Sequence, residues 1–300
     1  MTRRSIFAAG IAAYGQSLPV LRTKTLAVTI DPASGGEIAS MRYNGRELLY
    51  RAMLPDPPTG WRGRAPWLWP AVGRSGAGSY EWDGKRYAME AHGFARSRSW
   101  RLASSNERRA VVSLDVPRDE RVYPWSARLT ATYRLEGARV GIRFEVEADR
   151  SNKTPMPFSA GNHITFVHPL APKLEWSTNG TLMYEKTDGI PTGRSEKRTY
   201  SAPTDLSAIT REYPLSMGGY DRGEAWLKFG DGKKLAIRLA HHASALPSEP
   251  CLRFNVWGTP ECFSPEPWVG IQNSLNSRNG LLWLDPEKRW EWTITVDIEV

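Results

Sequence analysis

The residues of this chain best suited to chemistry are a few histidines, one glutamate held between prolines, and arginines in glycine-rich surroundings. Histidine is scarce, five in all: His92, His163, His168, His241 and His242. An imidazole titrates near neutral pH and a carboxylate accepts protons, so the chemistry within reach is proton transfer. His92 stands in Glu90-Ala91-His92-Gly93-Phe94-Ala95-Arg96. The glycine permits close backbone approach to a ligand, and Arg96 adds a rigid fork of donors. His163 stands in Pro157-Phe158-Ser159-Ala160-Gly161-Asn162-His163, at the start of an apolar run. Glu266 lies in Ser264-Pro265-Glu266-Pro267-Trp268. Its flanking prolines read as a stiff turn, and the adjacent tryptophan can desolvate the carboxylate and make it more basic. Arg74 closes Trp69-Pro70-Ala71-Val72-Gly73-Arg74 and suits hydroxyls or a carboxylate.

Each residue also has a bland reading: a loop histidine, a satisfied core histidine, a solvated loop carboxylate, a surface arginine. Taken singly, none decides between the two. His241 and His242 are adjacent on a strand and point to opposite faces, which makes a poor metal pair. Neither they nor His168, which precedes Pro169, receives a role.

The elements that must position these residues are strands. Leu129–Leu135, Val140–Ala148 and Trp290–Val300 alternate apolar and polar residues with period two, one face for the core and one for water. Asn44-Gly45, Asp83-Gly84, Glu136-Gly137 and Asp231-Gly232 separate such runs and read as hairpin turns. Any helix should be a turn or two long. Leu54–Gly78, rich in Pro, Gly and Trp, reads as a long ordered loop, the kind that tends to carry function. Tyr184–Tyr213 is likewise turn-rich. The sum is an all-β, single-domain antiparallel β-sandwich spanning residues 21–300.

Composition narrows the partners. The chain has 300 residues and a net charge of +8, an attraction toward anionic surfaces or substrates. Its charges are scattered, without zinc-finger spacing or a lysine-rich arm, which argues against nucleic acid. Of 13 tryptophans, roughly three in four should fill the core and one or two should touch a ligand. Cys251 and Cys262 can close one small loop or remain two thiols. Residues 1–20 read as an export signal or a disordered N-terminus: Arg3-Arg4, a short apolar stretch, then Gly15-Gln16-Ser17. That reading sends the protein to the periplasm or the exterior, and without it the cytoplasm is expected. No stretch is long and apolar enough to span a membrane.

Taken in order, the motifs resemble those of the aldose 1-epimerase (galactose mutarotase) family. They are Gly35-Gly36-Glu37-Ile38, Trp69-Pro70-Ala71-Val72-Gly73-Arg74, His92-Gly93-Phe94-Ala95-Arg96, Tyr123-Pro124-Trp125, Pro157-Phe158-Ser159-Ala160-Gly161-Asn162-His163 and Glu266-Pro267-Trp268. The resemblance runs from about Leu26 to the C-terminus. Two departures stand out: Ile164 replaces a proline common after the second histidine, and the family's additional sugar-binding acid has only Asp221 as a candidate.

The resemblance implies a galactose mutarotase-like supersandwich that interconverts the α and β anomers of a free hexose, with no cofactor and no metal. It implies Glu266 as base on the C1 hydroxyl and His163 as acid at the ring oxygen. His92, Arg74, Arg96 and Trp268 would hold the sugar. The alternatives are a hexose-6-phosphate 1-epimerase, suggested by the basic surplus, and a non-catalytic carbohydrate-binding protein of the same fold.

Overall fold

The computed structural model describes residues 18–50, 63–167, 173–187, 190–198, 200–205, 216–229, 235–246, 251–259 and 262–299. The export-signal stretch up to residue 17, His168, the Asp231-Gly232 turn and residues 54–62 of the expected loop lie outside them.

Period-two alternation becomes a two-layer sandwich. Ala127–Glu136 pairs with Arg139–Ala148 around the expected turn, with Leu135 opposite Val140. Its even and odd positions alternate between buried and more exposed. Arg289–Glu299 continues the ladder on the far side and joins Ala236–Ala243. Among the described residues this gives an antiparallel sheet of nine strands, running from Tyr200–Asp205 at one edge to Arg101–Ser105 at the other. Asn44, Gly45, Asp83, Gly84 and Gly137 all take positive φ, as the hairpin reading requires. The helical segments are short, Ala95–Ser97 and Ser274–Ser277.

A second sheet, of eight strands among the described residues, carries the residues of interest. At its centre Leu252–Thr259 pairs with Cys262–Val269. One face of this hairpin presents Phe254, Val256, Pro265 and Pro267, and the other presents Arg253, Asn255, Trp257, Ser264, Glu266 and Trp268. The first face packs on the nine-stranded sheet: Phe254 lies 4.6 Å from His241, and Phe263 5.7 Å from Trp176, between ring centroids. Nearby, Trp67 stacks on Phe144 at 4.4 Å and meets Trp292 edge-on at 6.1 Å. Truncating a buried tryptophan of this kind costs about 3–5 kcal/mol.

Glu266 therefore does not sit in a stiff turn. It lies in the middle of an eight-residue buried strand. The prolines are tolerated because of what flanks them on that edge. Ala160–Asn162 pairs at Trp268 and Val269, Phe166–Val167 pairs at Cys262 and Phe263, and nothing between them requires a ladder donor. Across this gap residues 163–165 stand opposite 264–266 in unbroken register but outside any strand. Cys251 and Cys262 are both buried and are not joined in a disulfide.

Candidate active site

The gap beside the prolines brings His163 to Glu266. Backbone bonds from His163 N to Pro66 O and from Thr165 N to Arg64 O tie this stretch to the segment before Trp67. That segment is braced in turn by Glu37, which accepts from the Arg64 and Ala65 amides and from the Arg64 guanidinium. The early Gly-Gly-acid motif thus acts at a distance, by fixing where the chain enters the site.

His163 Nε2 stands 3.4 Å from Glu266 Oε1. Both side chains are almost wholly inaccessible, 3 % and 1 % exposed. Trp268 donates its indole N–H to Glu266 Oε2 at 3.1 Å, and Asn255 donates to Oε1 at 3.4 Å. Lys186, from the distant strand Leu182–Thr187, reaches Asn255 Oδ1 at 2.7 Å. Both carboxylate oxygens are therefore engaged by donors, which is what a buried carboxylate needs to stay charged.

The first histidine arrives through two interlocked loops. Trp69 O accepts from the amides of Phe94 and Ala95, and His92 N donates to Gly73 O at 2.7 Å. Gly73 N returns a bond to His92 Nδ1 at 3.2 Å. His92 and Gly93 both take φ of 68°, a left-handed conformation that is strained for histidine. At Gly93 a Cβ would lie 2.2 Å from Trp69 O, so glycine is obligatory there.

The two imidazoles meet edge-to-face at 5.6 Å between centroids. Burial, then Arg96 and Arg74, pushes His92 down to about 3. Its ring is neutral, Nδ1 is occupied as an acceptor, and the remaining proton sits on Nε2 as a donor. Burial also holds His163 well below the usual imidazole range, with His92 and Arg96 adding to the effect.

The structure thus brings Glu266, His163, His92 and Trp268 into one cluster. Arg96 is half-buried beside it, held close by Gly35, whose added Cβ would meet Arg96 O at 2.6 Å. Arg74 is exposed, near enough for its charge to act on His92. Trp268 is 2 % exposed and packs with Leu68 and Val72 against Gly161. That placement suits holding Glu266 more than offering a ring face. Asp221 is exposed in the turn before Gly223, and among the described residues no contact joins it to Glu266 or His163. Sequence reasoning missed Asn255, Lys186, Thr165 and Ser264. Asn255 and Ser264 were findable in principle, since they share the strand face of Glu266 by register; Lys186 carried no signal. Among the described residues no group of three or more His, Cys, Asp or Glu is arranged to hold a metal ion. None of their helices is long and apolar enough to cross a membrane.

The family model for aldose 1-epimerase matches residues 20–247. The chain belongs to the aldose 1-epimerase family. No curated protein sequence matches it significantly. Among solved structures, a galactose mutarotase related enzyme from Lactobacillus acidophilus superposes with a TM-score of 0.77 at 18% identity, over 95% of this chain and 98% of that one. A galactose mutarotase-like protein from Lactobacillus casei gives 0.77 at 18% identity, over 94% and 100%. A galactose 1-epimerase from Lactobacillus acidophilus NCFM gives 0.66 at 14% identity, over 93% of each chain. These likenesses establish the galactose mutarotase-like sandwich for this aldose 1-epimerase family member.

Proposed function

We propose that this family member interconverts the α and β anomers of a free hexose. The observation that carries the reading is the buried His163–Glu266 pair at 3.4 Å, with His92 beside it. Anomerisation needs a proton taken from the C1 hydroxyl and a proton given to the ring oxygen. Glu266 takes the first. In the reactive form His163 carries a proton on both nitrogens, a state that burial disfavours and the Glu266 carboxylate at 3.4 Å favours, and it gives the second from Nε2. The bond between C1 and the ring oxygen breaks, leaving an open-chain aldehyde, a neutral imidazole and a protonated carboxyl. Rotation about C1–C2 presents the other face of the aldehyde, and the two transfers run backward to close the ring. Protons balance over the cycle, and no redox step is involved. Each positioned group typically contributes ~10²–10⁴-fold.

His92 offers Nε2–H to the ring oxygen or a neighbouring hydroxyl, and Arg74 and Arg96 stand beside it for further hydroxyls. A phosphorylated hexose is the second reading. It is favoured by Arg253 and Lys186, which reach the same sheet face as Glu266; Arg253 lies 3.5 Å over the Tyr184 ring.

The test is polarimetry of freshly dissolved α-galactose, α-glucose and α-glucose 6-phosphate. Equilibration faster than background with a neutral sugar supports the first reading. Acceleration of the phosphate ester alone moves the assignment to the second. Saturable binding of a sugar without acceleration of any would overturn both and leave a binding protein.

A further inference from the structure

The sequence leads one or two tryptophans to be expected against a ligand, and Trp268, 2 % exposed, offers no ring face. Trp283 does. It is 51 % exposed, and every other tryptophan among the described residues is buried or half-buried. Trp283 lies in Leu282–Leu284 and pairs with Pro157 of Met156–Phe158. Both leucines beside it are buried, so the period of two turns the indole outward.

The surroundings of Trp283 are built, not incidental. Trp82 stands 5.5 Å from it between ring centroids, tilted by 46°. Buried Trp125 meets Trp82 edge-on at 4.9 Å. The Arg278 guanidinium lies 3.7 Å over the Trp82 ring and donates to Leu275 O and Glu81 O, 2.7 Å each. Asn276 ties Ser79–Trp82 to the short helix Ser274–Ser277. It donates to Ser79 O at 3.0 Å and accepts from Glu81 N at 3.3 Å. The two tilted indoles are thus clamped before any ligand arrives, which lowers the ordering cost of binding.

Size and charge say what fits. Half an indole is about 100 Å² of apolar surface, whereas a specific protein interface takes about 800 Å² from each partner. The patch matches one ring of a sugar, whose C–H face is apolar and whose perimeter is hydroxyl. Charges of both signs are interspersed around it, Glu81 and Asp83 with Lys85 and Arg86, and Asp83 is close enough to act on Arg278. Nothing there singles out a charged ligand, and all of these groups can hydrogen-bond hydroxyls. We propose that Trp283, backed by Trp82 and Arg278, is a surface binding site for a neutral polysaccharide chain, separate from the cluster around Glu266. One stacked ring holds weakly. A repeating chain offers many equivalent rings for rebinding, so a polymer is favoured over a free monosaccharide. The proposal does not depend on the anomerisation reading.

The test is native electrophoresis through gels cast with soluble starch, mixed-linkage β-glucan, xylan, galactomannan or galactan, each beside a plain gel. At least one polysaccharide should slow the parent. Trp283→Ala should weaken that affinity about tenfold or more, as loss of a central tryptophan does. Its side chain is exposed, so the variant should melt like the parent. Glu266→Gln should be slowed as the parent is, and excess free galactose or glucose should not release the parent. Unretarded migration of the parent in every gel overturns the proposal. So does equal retardation of the parent and Trp283→Ala, which would put the binding elsewhere on the surface. Release by free hexose, or loss of retardation in a folded Glu266→Gln, would assign the capture to the candidate active site and sink the idea of a second one.

Discussion

Lys186 Nζ lies 2.7 Å from Asn255 Oδ1, and that contact settles which way the Asn255 amide points. An ammonium can only donate, so it must face the amide oxygen, and Nδ2 is left to face Glu266 Oε1. The orientation of the proposed base is thereby governed from Leu182–Thr187, three strands away across Ser216–Gly218 and Leu252–Thr259. Lys186→Met should free the amide to turn and weaken its grip on Glu266. We expect kcat to fall about tenfold, since outer partners of this kind are worth 10–100-fold, with thermal stability close to that of the parent. Steady-state polarimetry beside a thermal melt checks this. A variant with unchanged kcat would show that the Lys186 contact has no bearing on the base.

Glu266→Gln keeps the shape of the site and removes the proton acceptor. The rate should drop toward background, on the order of 10²–10⁴-fold, while the far-ultraviolet circular dichroism stays that of the parent. Loss of activity together with loss of β signal would instead mean that Glu266 holds the strand together.

The three described histidines with lowered values make the fold sensitive to acid. His92 and His241 are pushed to about 3, and His163 well below its usual range, in each case mainly by burial. In the unfolded chain each titrates near 6.5. The unfolded state therefore binds more protons below that value. Stability is complete above about pH 6.5 and is lost progressively as pH falls toward 3. His241 isolates the effect, because it lies outside the active-site cluster, 1 % exposed, with neither ring nitrogen hydrogen-bonded. For one such group the loss at pH 5 is about 2 kcal/mol. His241→Leu should be more stable than the parent by about that much at pH 5, and by less at pH 7.5. Urea titrations at the two pH values give the comparison, and an equal difference at both would remove protonation of His241 as the cause.

Gly93→Ala forces a Cβ to within 2.2 Å of Trp69 O at a residue with φ of 68°. The two loops must part, so both stability and activity should fall sharply, by more than about 3 kcal/mol in unfolding free energy given the combined clash and strain. Gly45→Ala is the matched control: its φ is 82°, yet a Cβ there meets nothing within 4 Å. It should cost only the left-handed strain, about 1 kcal/mol. Similar losses at the two sites would mean that backbone strain, not loop interlock, sets the cost.

The fold was legible because its hairpins are local. Ala127–Ala148 contains its own alternation and its own Gly137 turn, so the sequence needs no distant information to specify it. The site was legible only as a set of motifs. That His163 meets Glu266 depends on a gap in one sheet edge about a hundred residues from the histidine, and no local pattern encodes that pairing. The prolines around Glu266 misled for a related reason: they usually end strands, and they persist here because the neighbouring edge asks nothing of their nitrogens. Lys186 was invisible because a lysine in an alternating strand reads as solvated until the partner strand is known.

The central hairpin Leu252–Val269 carries its core and its site on opposite faces of the same two strands. Two messages are therefore interleaved along one stretch of chain. Phe254, Val256, Pro265 and Pro267 belong to the message about folding. Arg253, Asn255, Ser264, Glu266 and Trp268 belong to the message about the candidate site. Alternate letters can drift at different rates, so substrate preference can be rewritten while the sandwich is left unedited. The same interleaving forbids one kind of change: losing a single residue ahead of Glu266 in this hairpin would exchange the two messages downstream, sending Glu266 into oil and a proline into the candidate site.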